Sequence, residues 1–117
     1  MNGDAMKFRR RILKRRFVEG DSGGVLGGHF SVQFVGLYKL RYQEGDHSAV
    51  AEVEPLKGEV NWMIYLDSIL GWAPPFEDAV LARQQVDQIR ANVILALDAM
   101  GVRYVASGIP GPASTPS

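Results

Sequence analysis

Residues 20–24 read Gly-Asp-Ser-Gly-Gly, and a serine set between an aspartate and two glycines is the first place in this sequence where nucleophilic chemistry could reside. Such a serine needs a histidine to take its proton and a buried acid to orient that histidine. In hydrolases built around a segment of this kind the histidine lies far upstream on a large scaffold. Here His29 and His47 both follow Ser22, in a chain of 117 residues. The segment therefore reads as glycine-permissive turns. It carries no lysine-serine or lysine-threonine pair that would grip a phosphate in the manner of a P-loop. The two histidines stand eighteen residues apart in a chain without cysteine, short of the three or four converging ligands that a metal needs. His47 falls in a turn beside Asp46, where solvation is expected, and His29 opens a strand and is expected to be partly buried. Glu52 and Glu54 are two residues apart on one strand face, a spacing that could divide acid and base roles, but no third catalytic group is placed near them. The sequence thus predicts no catalytic residue, no metal and no cofactor.

The carboxylates gain another meaning from how charge is distributed. Thirteen basic and thirteen acidic residues sum to zero. Seven of the bases, Lys7, Arg9, Arg10, Arg11, Lys14, Arg15 and Arg16, lie in the first sixteen residues with Asp4 as the one acid there, so that segment is +6. From Phe17 onward six bases face twelve acids, a net of −6. A basic arm is suited to phosphates or an anionic surface. An acidic body is suited to steering a basic partner. Glu44, Asp46, Glu59, Asp67, Glu77 and Asp78 join Glu52 and Glu54 in that acidic surface, and Trp62, Tyr65, Trp72 and Phe76 are available as aromatic anchors or core.

The elements that must position these groups follow from apolar spacing. The glycines between 17 and 28 predict a loop. His29 to Val35 alternates, with Phe30, Val32 and Phe34 on one side, as a half-buried strand does. Leu37 to Tyr42, the turn Glu44-Gly45-Asp46 and the strand from Ser48 to Glu54 predict an antiparallel hairpin, with Ala49, Ala51 and Val53 facing away from Val50, Glu52 and Glu54. Residues 61–66 are apolar enough to be a strand covered on both faces. Residues 69–76, with Gly71, Trp72, Pro74 and Pro75, predict a packed loop. Val86, Ile89, Val93, Leu97 and Met100 recur at helical spacing, with Ala82 and Ala96 near the same stripe, and Gly101 supplies the stop; this predicts a helix over about 79–100. Residues 102–106 return as a short strand. The expected fold is α+β: an antiparallel sheet of about four to six strands on one long C-terminal helix, formed by a single domain over 17–106 between a basic arm, 1–16, and a disordered tail, 107–117. No apolar run approaches the roughly 20 residues of a membrane span. The basic opening lacks the apolar stretch of a secretory signal. With no cysteine, a cytoplasmic address is expected.

The run Met63-Ile64-Tyr65-Leu66-Asp67-Ser68-Ile69-Leu70-Gly71-Trp72-Ala73-Pro74-Pro75, followed by a helix with Ile89 and Leu97 and a stop at Gly101, resembles the immunity protein 74 family. Those proteins accompany polymorphic toxins of bacterial contact-dependent inhibition systems. The resemblance covers residues 30–105 and implies a cytoplasmic antidote that binds and neutralises a cognate toxin C-terminal domain, without chemistry of its own. If that toxin is a nuclease, the acidic surface is the natural counterpart of its basic substrate face, with Glu52, Glu54, Asp67, Glu77 and Asp78 as the expected toxin-binding residues. The competing expectation is a nucleic-acid-associated regulator that grips phosphates with the arm from Lys7 to Arg16.

Overall fold

The computed structural model describes residues 17–108. The basic arm over 1–16 and the tail beyond Gly108 lie outside the described residues. The first strand, β1 (Phe17–Gly20), occupies part of the segment expected to be a loop. It is followed by β2 (Phe30–Val35), β3 (Lys39–Glu44), β4 (His47–Pro55) and β5 (Trp62–Tyr65), each antiparallel to the one before it. A 3-10 turn over Leu66–Ser68, a loop, the helix α1 (Arg83–Met100) and β6 (Tyr104–Ser107) complete the described chain.

The strands lie in sequence order across one six-stranded sheet. Its last pair departs from the expected all-antiparallel arrangement. Ser107 opposes Tyr65 and Tyr104 opposes Trp62, so β6 runs parallel to β5. A parallel neighbour cannot be joined by a hairpin and needs a crossover, which the loop and α1 provide. Ser107, expected to open the tail, belongs to this strand. The sheet's inner face is the alternation seen in the sequence: Phe30, Val32 and Phe34 from β2, Leu40 and Tyr42 from β3, Ala49, Ala51 and Val53 from β4, Ile64 from β5. Ile89, Val93, Ala96, Leu97 and Met100 of α1 close the same core, as their spacing predicted. Burying an aliphatic or aromatic side chain of this kind contributes about 1.5–3 kcal/mol, which makes this one apolar layer the main source of stability.

Several boundaries moved for local reasons. Leu37 and Tyr38, expected in a strand, form the turn between β2 and β3 and are exposed; Gly36, at φ +72°, supplies the left-handed conformation that the turn requires. Helix α1 starts at Arg83 rather than near 79. Residues before it form successive turns, with the Phe76 amide donating to the Ala73 carbonyl and the Ala79 amide to that of Phe76. The Gln85 side chain then accepts the Ala82 amide at 2.8 Å, satisfying one amide that a helix start leaves without a partner. Strand β5 is covered on one side only: Ile64 is buried, while Met63 and Tyr65 on the opposite face are half-exposed. Trp72 is buried as expected and stacks near Tyr42, and Trp62 lies against Phe34.

Candidate functional site

Because α1 covers only the inner face, the other face of the sheet is left open among the described residues. The register sets out its rows. Phe17, Gln33, Arg41 and Val50 form one, and Val35, Lys39, Glu52, Tyr65 and Ser107 form the next but one. Near the second row Tyr38, Lys39, Glu52, Val53, Glu54 and Tyr65 line a shallow groove of about 380 Å³. The Tyr38 carbonyl accepts the Val53 amide at 3.1 Å, which ties the turn between β2 and β3 against β4 and forms one wall.

The carboxylates of this region share one field. The Tyr65 hydroxyl donates to Glu54 Oε1 at 2.9 Å. That bond raises the Tyr65 phenol above its ordinary range, with smaller contributions from burial and from the negative charges of Glu54, Asp67 and Glu52. Asp67 arrives from the 3-10 turn that ends β5, where it accepts the Ser107 hydroxyl at 2.8 Å. The Glu52 amide donates to Ser68 Oγ, which itself donates to the Tyr65 carbonyl, so the same turn locks β4 and β5 beside one another. Both Glu52 and Glu54 are exposed, and Lys39, opposite Glu52 in register, is the one basic residue of the lining.

The five expected binding residues therefore separate into two places. Glu52, Glu54 and Asp67 surround Tyr65. Glu77 and Asp78 are exposed in the loop before α1, and their neighbour Phe76 stacks on His47 at the far end of β4. Two further expectations change. Glu44 is not part of the acidic surface: it is 3% exposed and faces inward. His47 is half-buried rather than free in a turn: it opens β4, and its ring stacks on Phe76 with centroids 3.7 Å apart and meets the Trp72 ring edge-on at 5.1 Å. Conversely, His29 is exposed rather than partly buried.

Glu44 accounts for one position of the glycine-rich segment, Gly24. Its carboxylate accepts the Val25 amide at 2.9 Å, the Leu26 amide at 2.8 Å and the hydroxyl of Tyr42. Tyr42 in turn accepts from Asn92 Nδ2 at 3.1 Å; that amide nitrogen also donates to the Gly23 carbonyl at 2.9 Å, and Gln88 donates to Asn92 Oδ1 at 2.8 Å. A directional chain thus runs from α1 through β3 into the glycine loop. Burial and the Glu44 hydrogen bond together raise the Tyr42 phenol far above its usual range. At Gly24 a Cβ atom would stand 2.6 Å from Glu44 Oε2, so the loop can approach the carboxylate only without a side chain there. Sequence reasoning missed Glu44, Tyr42 and Asn92; the signal was a carboxylate at inward phase in β3 and an asparagine on the apolar stripe of α1. Beside this network a cleft of about 350 Å³, lined by residues including Gly28, His29, Glu44, Asp46 and His47, gathers both histidines. Among the described residues no three His, Cys, Asp or Glu side chains are grouped to hold a metal.

Comparison with known proteins finds no matching family model, no matching curated protein and no matching solved structure. No helix among the described residues is long and apolar enough to cross a membrane.

Proposed function

We propose that this chain is an immunity-type protein that binds and neutralises a basic toxin domain through the acidic groove around Tyr65, and that it contributes no chemistry of its own. The observation that supports this reading is the convergence of Glu52, Glu54 and Asp67 on one tyrosine, on a sheet face that the fold leaves open. Tyrosine supplies contact area at low entropic cost, and Tyr38 and Tyr65 flank the carboxylates in the manner of interface anchors. A rim of like charge chiefly accelerates encounter with an oppositely charged partner. Among the carboxylates, the proposal puts Glu52, Glu54 and Asp67 in the contact and leaves Glu77 and Asp78 outside it.

The test is co-expression with the C-terminal domain of a large secreted protein encoded beside this chain. A complex should form and protect the host. Replacing Glu52 and Glu54 by glutamine and Asp67 by asparagine together should lower affinity about tenfold, at roughly 0.2–1 kcal/mol per exposed pair, mostly by slowing association. The salt dependence should flatten in the same variant. Absence of a complex, or a complex indifferent to all three substitutions but sensitive to Glu77 and Asp78, overturns the assignment.

A further inference from the structure

We propose that the part of the open sheet face over β1, β2 and β3 binds a neutral saccharide, at a place separate from the proposed toxin contact. There Phe17, Glu19, His29, Ser31, Gln33 and Gln43 line a groove of about 270 Å³ that shares no residue with the groove around Tyr65. The register fixes its floor. Glu19, Ser31 and Gln43 form one row across the three strands, and Phe17 and Gln33 begin the next. Two strand spacings and one step of two residues give a floor of about 10 by 7 Å, the footprint of a single sugar ring with its hydroxyls.

The ligand class follows from what the lining offers and what it lacks. A side-chain amide both donates and accepts, and so does a hydroxyl, so Gln33, Gln43 and Ser31 suit a ligand whose own groups each do both. Sugar hydroxyls are such groups. Gln43 is held in place by donating from Nε2 to the Gly45 carbonyl at 3.0 Å, which keeps its Oε1 for a donor. The side chains of Ser31 and Gln33 make no hydrogen bond among the described residues. At one end the half-buried Phe17 ring provides apolar surface for the C–H face of a sugar. The backbone of β2 is already paired on both sides, so an added peptide strand finds no edge here. No lysine or arginine lines the groove and Glu19 does, which disfavours an anion; Arg41, next along β3 on the same face, stands outside the lining. His29 and Gly45 also line the cleft of about 350 Å³ that holds Asp46 and His47, so a second sugar unit has room beyond the first, with the exposed Asp46 carboxylate as an acceptor for its hydroxyls.

Magnetic-resonance titration of the isotope-labelled full-length chain with glucose, galactose and N-acetylglucosamine, and with cellobiose, lactose and chitobiose, tests the proposal. At least one monosaccharide should shift the side-chain amide signals of Gln33 and Gln43 with a Kd on the order of 1–10 mM, the range open to about a dozen heavy atoms. A disaccharide containing it should bind at least about fivefold more tightly and shift Asp46 and His47 as well. Gln33→Leu, which keeps the bulk of the side chain, should weaken binding about tenfold with an unchanged circular dichroism spectrum, and Ser31→Ala about threefold. Glucuronate should bind no better than the neutral sugars. No shift from any of these sugars, shifts confined to Tyr38 and Tyr65, no gain from the second unit, unaltered affinity in both variants, or tighter and salt-sensitive binding of glucuronate through Arg41 overturns it.

Discussion

Replacing Gly24 by alanine isolates the fit between the glycine loop and the buried Glu44 carboxylate. The new methyl group would stand 2.6 Å from Oε2, 2.7 Å from Cδ and 2.9 Å from the Gly28 carbonyl oxygen, all closer than real Cβ atoms approach. The Glu44 side chain sits in a packed interior and cannot swing into water without abandoning the Val25 and Leu26 amides. Losing two hydrogen bonds to a carboxylate, at about 1.5–3 kcal/mol each, sets an upper range of about 3–6 kcal/mol. Partial relaxation of the loop brings the expected cost to about 3–4 kcal/mol, against a total stability of about 5–15 kcal/mol for a domain of this kind. Gly28 is the internal control. A Cβ there meets nothing within 4 Å and its backbone does not need the left-handed region, so Gly28→Ala should change stability by less than about 0.5 kcal/mol. Urea unfolding of both variants, read by tryptophan fluorescence, measures the difference as a shift in midpoint at constant slope. Removing the obstructing carboxylate with Glu44→Ala should cut the additional cost of Gly24→Ala to about 1 kcal/mol, a coupling visible in a double-mutant cycle. Equal midpoints for the two glycine variants, or additive behaviour in the cycle, would refute the account of why position 24 is a glycine.

Two other expectations rest on the same geometry. Burial and then the Glu44 hydrogen bond raise Tyr42, while burial and then the Asp98 hydrogen bond push Tyr104 up to about 12. An unfolded phenol titrates near 10, so the stabilisation from both tyrosines is fully present below about pH 10 and is lost as pH rises through the folded values. The urea midpoint should therefore be level to about pH 9.5 and then fall. Tyr42→Phe should make that fall shallower, at a cost of about 1 kcal/mol at neutral pH; an identical alkaline slope would contradict the assignment. Gly108→Ala would set a Cβ 2.5 Å from the Asp67 amide nitrogen at φ +75°, an obstruction formed by backbone that cannot rotate away. Hydrogen exchange in β6 should accelerate by at least about tenfold, corresponding to the loss of 1.4 kcal/mol or more of local stability; unchanged protection of Tyr104–Ser107 would show that the strand tolerates the contact.

What the sequence disclosed, and what it concealed, follows from the range of the interactions concerned. Alternation in β2 and β4 and the stripe of α1 are local patterns: the strands sorted their residues correctly into core and surface, and the stripe did so for Ile89, Val93, Ala96, Leu97 and Met100, whereas Val86 is half-buried and Ala82 is exposed just before the helix. That Glu52 and Glu54 share a face was legible from their spacing alone. Asp67 joins them through the 3-10 turn and the pairing of β4 with β5, a non-local event that no spacing encodes. Glu77 and Asp78 had the same charge but are carried to the other end of β4 by the packing of Phe76 on His47. Strand β1 was hidden because it is four residues long, with Phe17 and Val18 its only apolar side chains ahead of the glycine-rich segment, and its pairing is dictated by β2. The parallel β5–β6 pair was hidden because it depends on where α1 delivers the chain. Glu44 was misjudged for an instructive reason: its charge and its place before Gly45-Asp46 both indicate a surface turn, while its phase in β3, in line with Leu40 and Tyr42, puts it inside.

The order of the elements also bears on how the protein is made. Strands β2 to β4 present Phe30, Val32, Phe34, Leu40, Tyr42, Ala49, Ala51 and Val53 on one side, and their cover, α1, ends 45 residues after Pro55. At a synthesis rate of about 5–20 residues per second, that greasy surface stays uncovered on the ribosome for about 2–9 s. During that interval the nascent meander is a natural client for a chaperone, and rare codons that delay translation between β4 and α1 should lower the yield of folded protein more than the same codons placed after Met100.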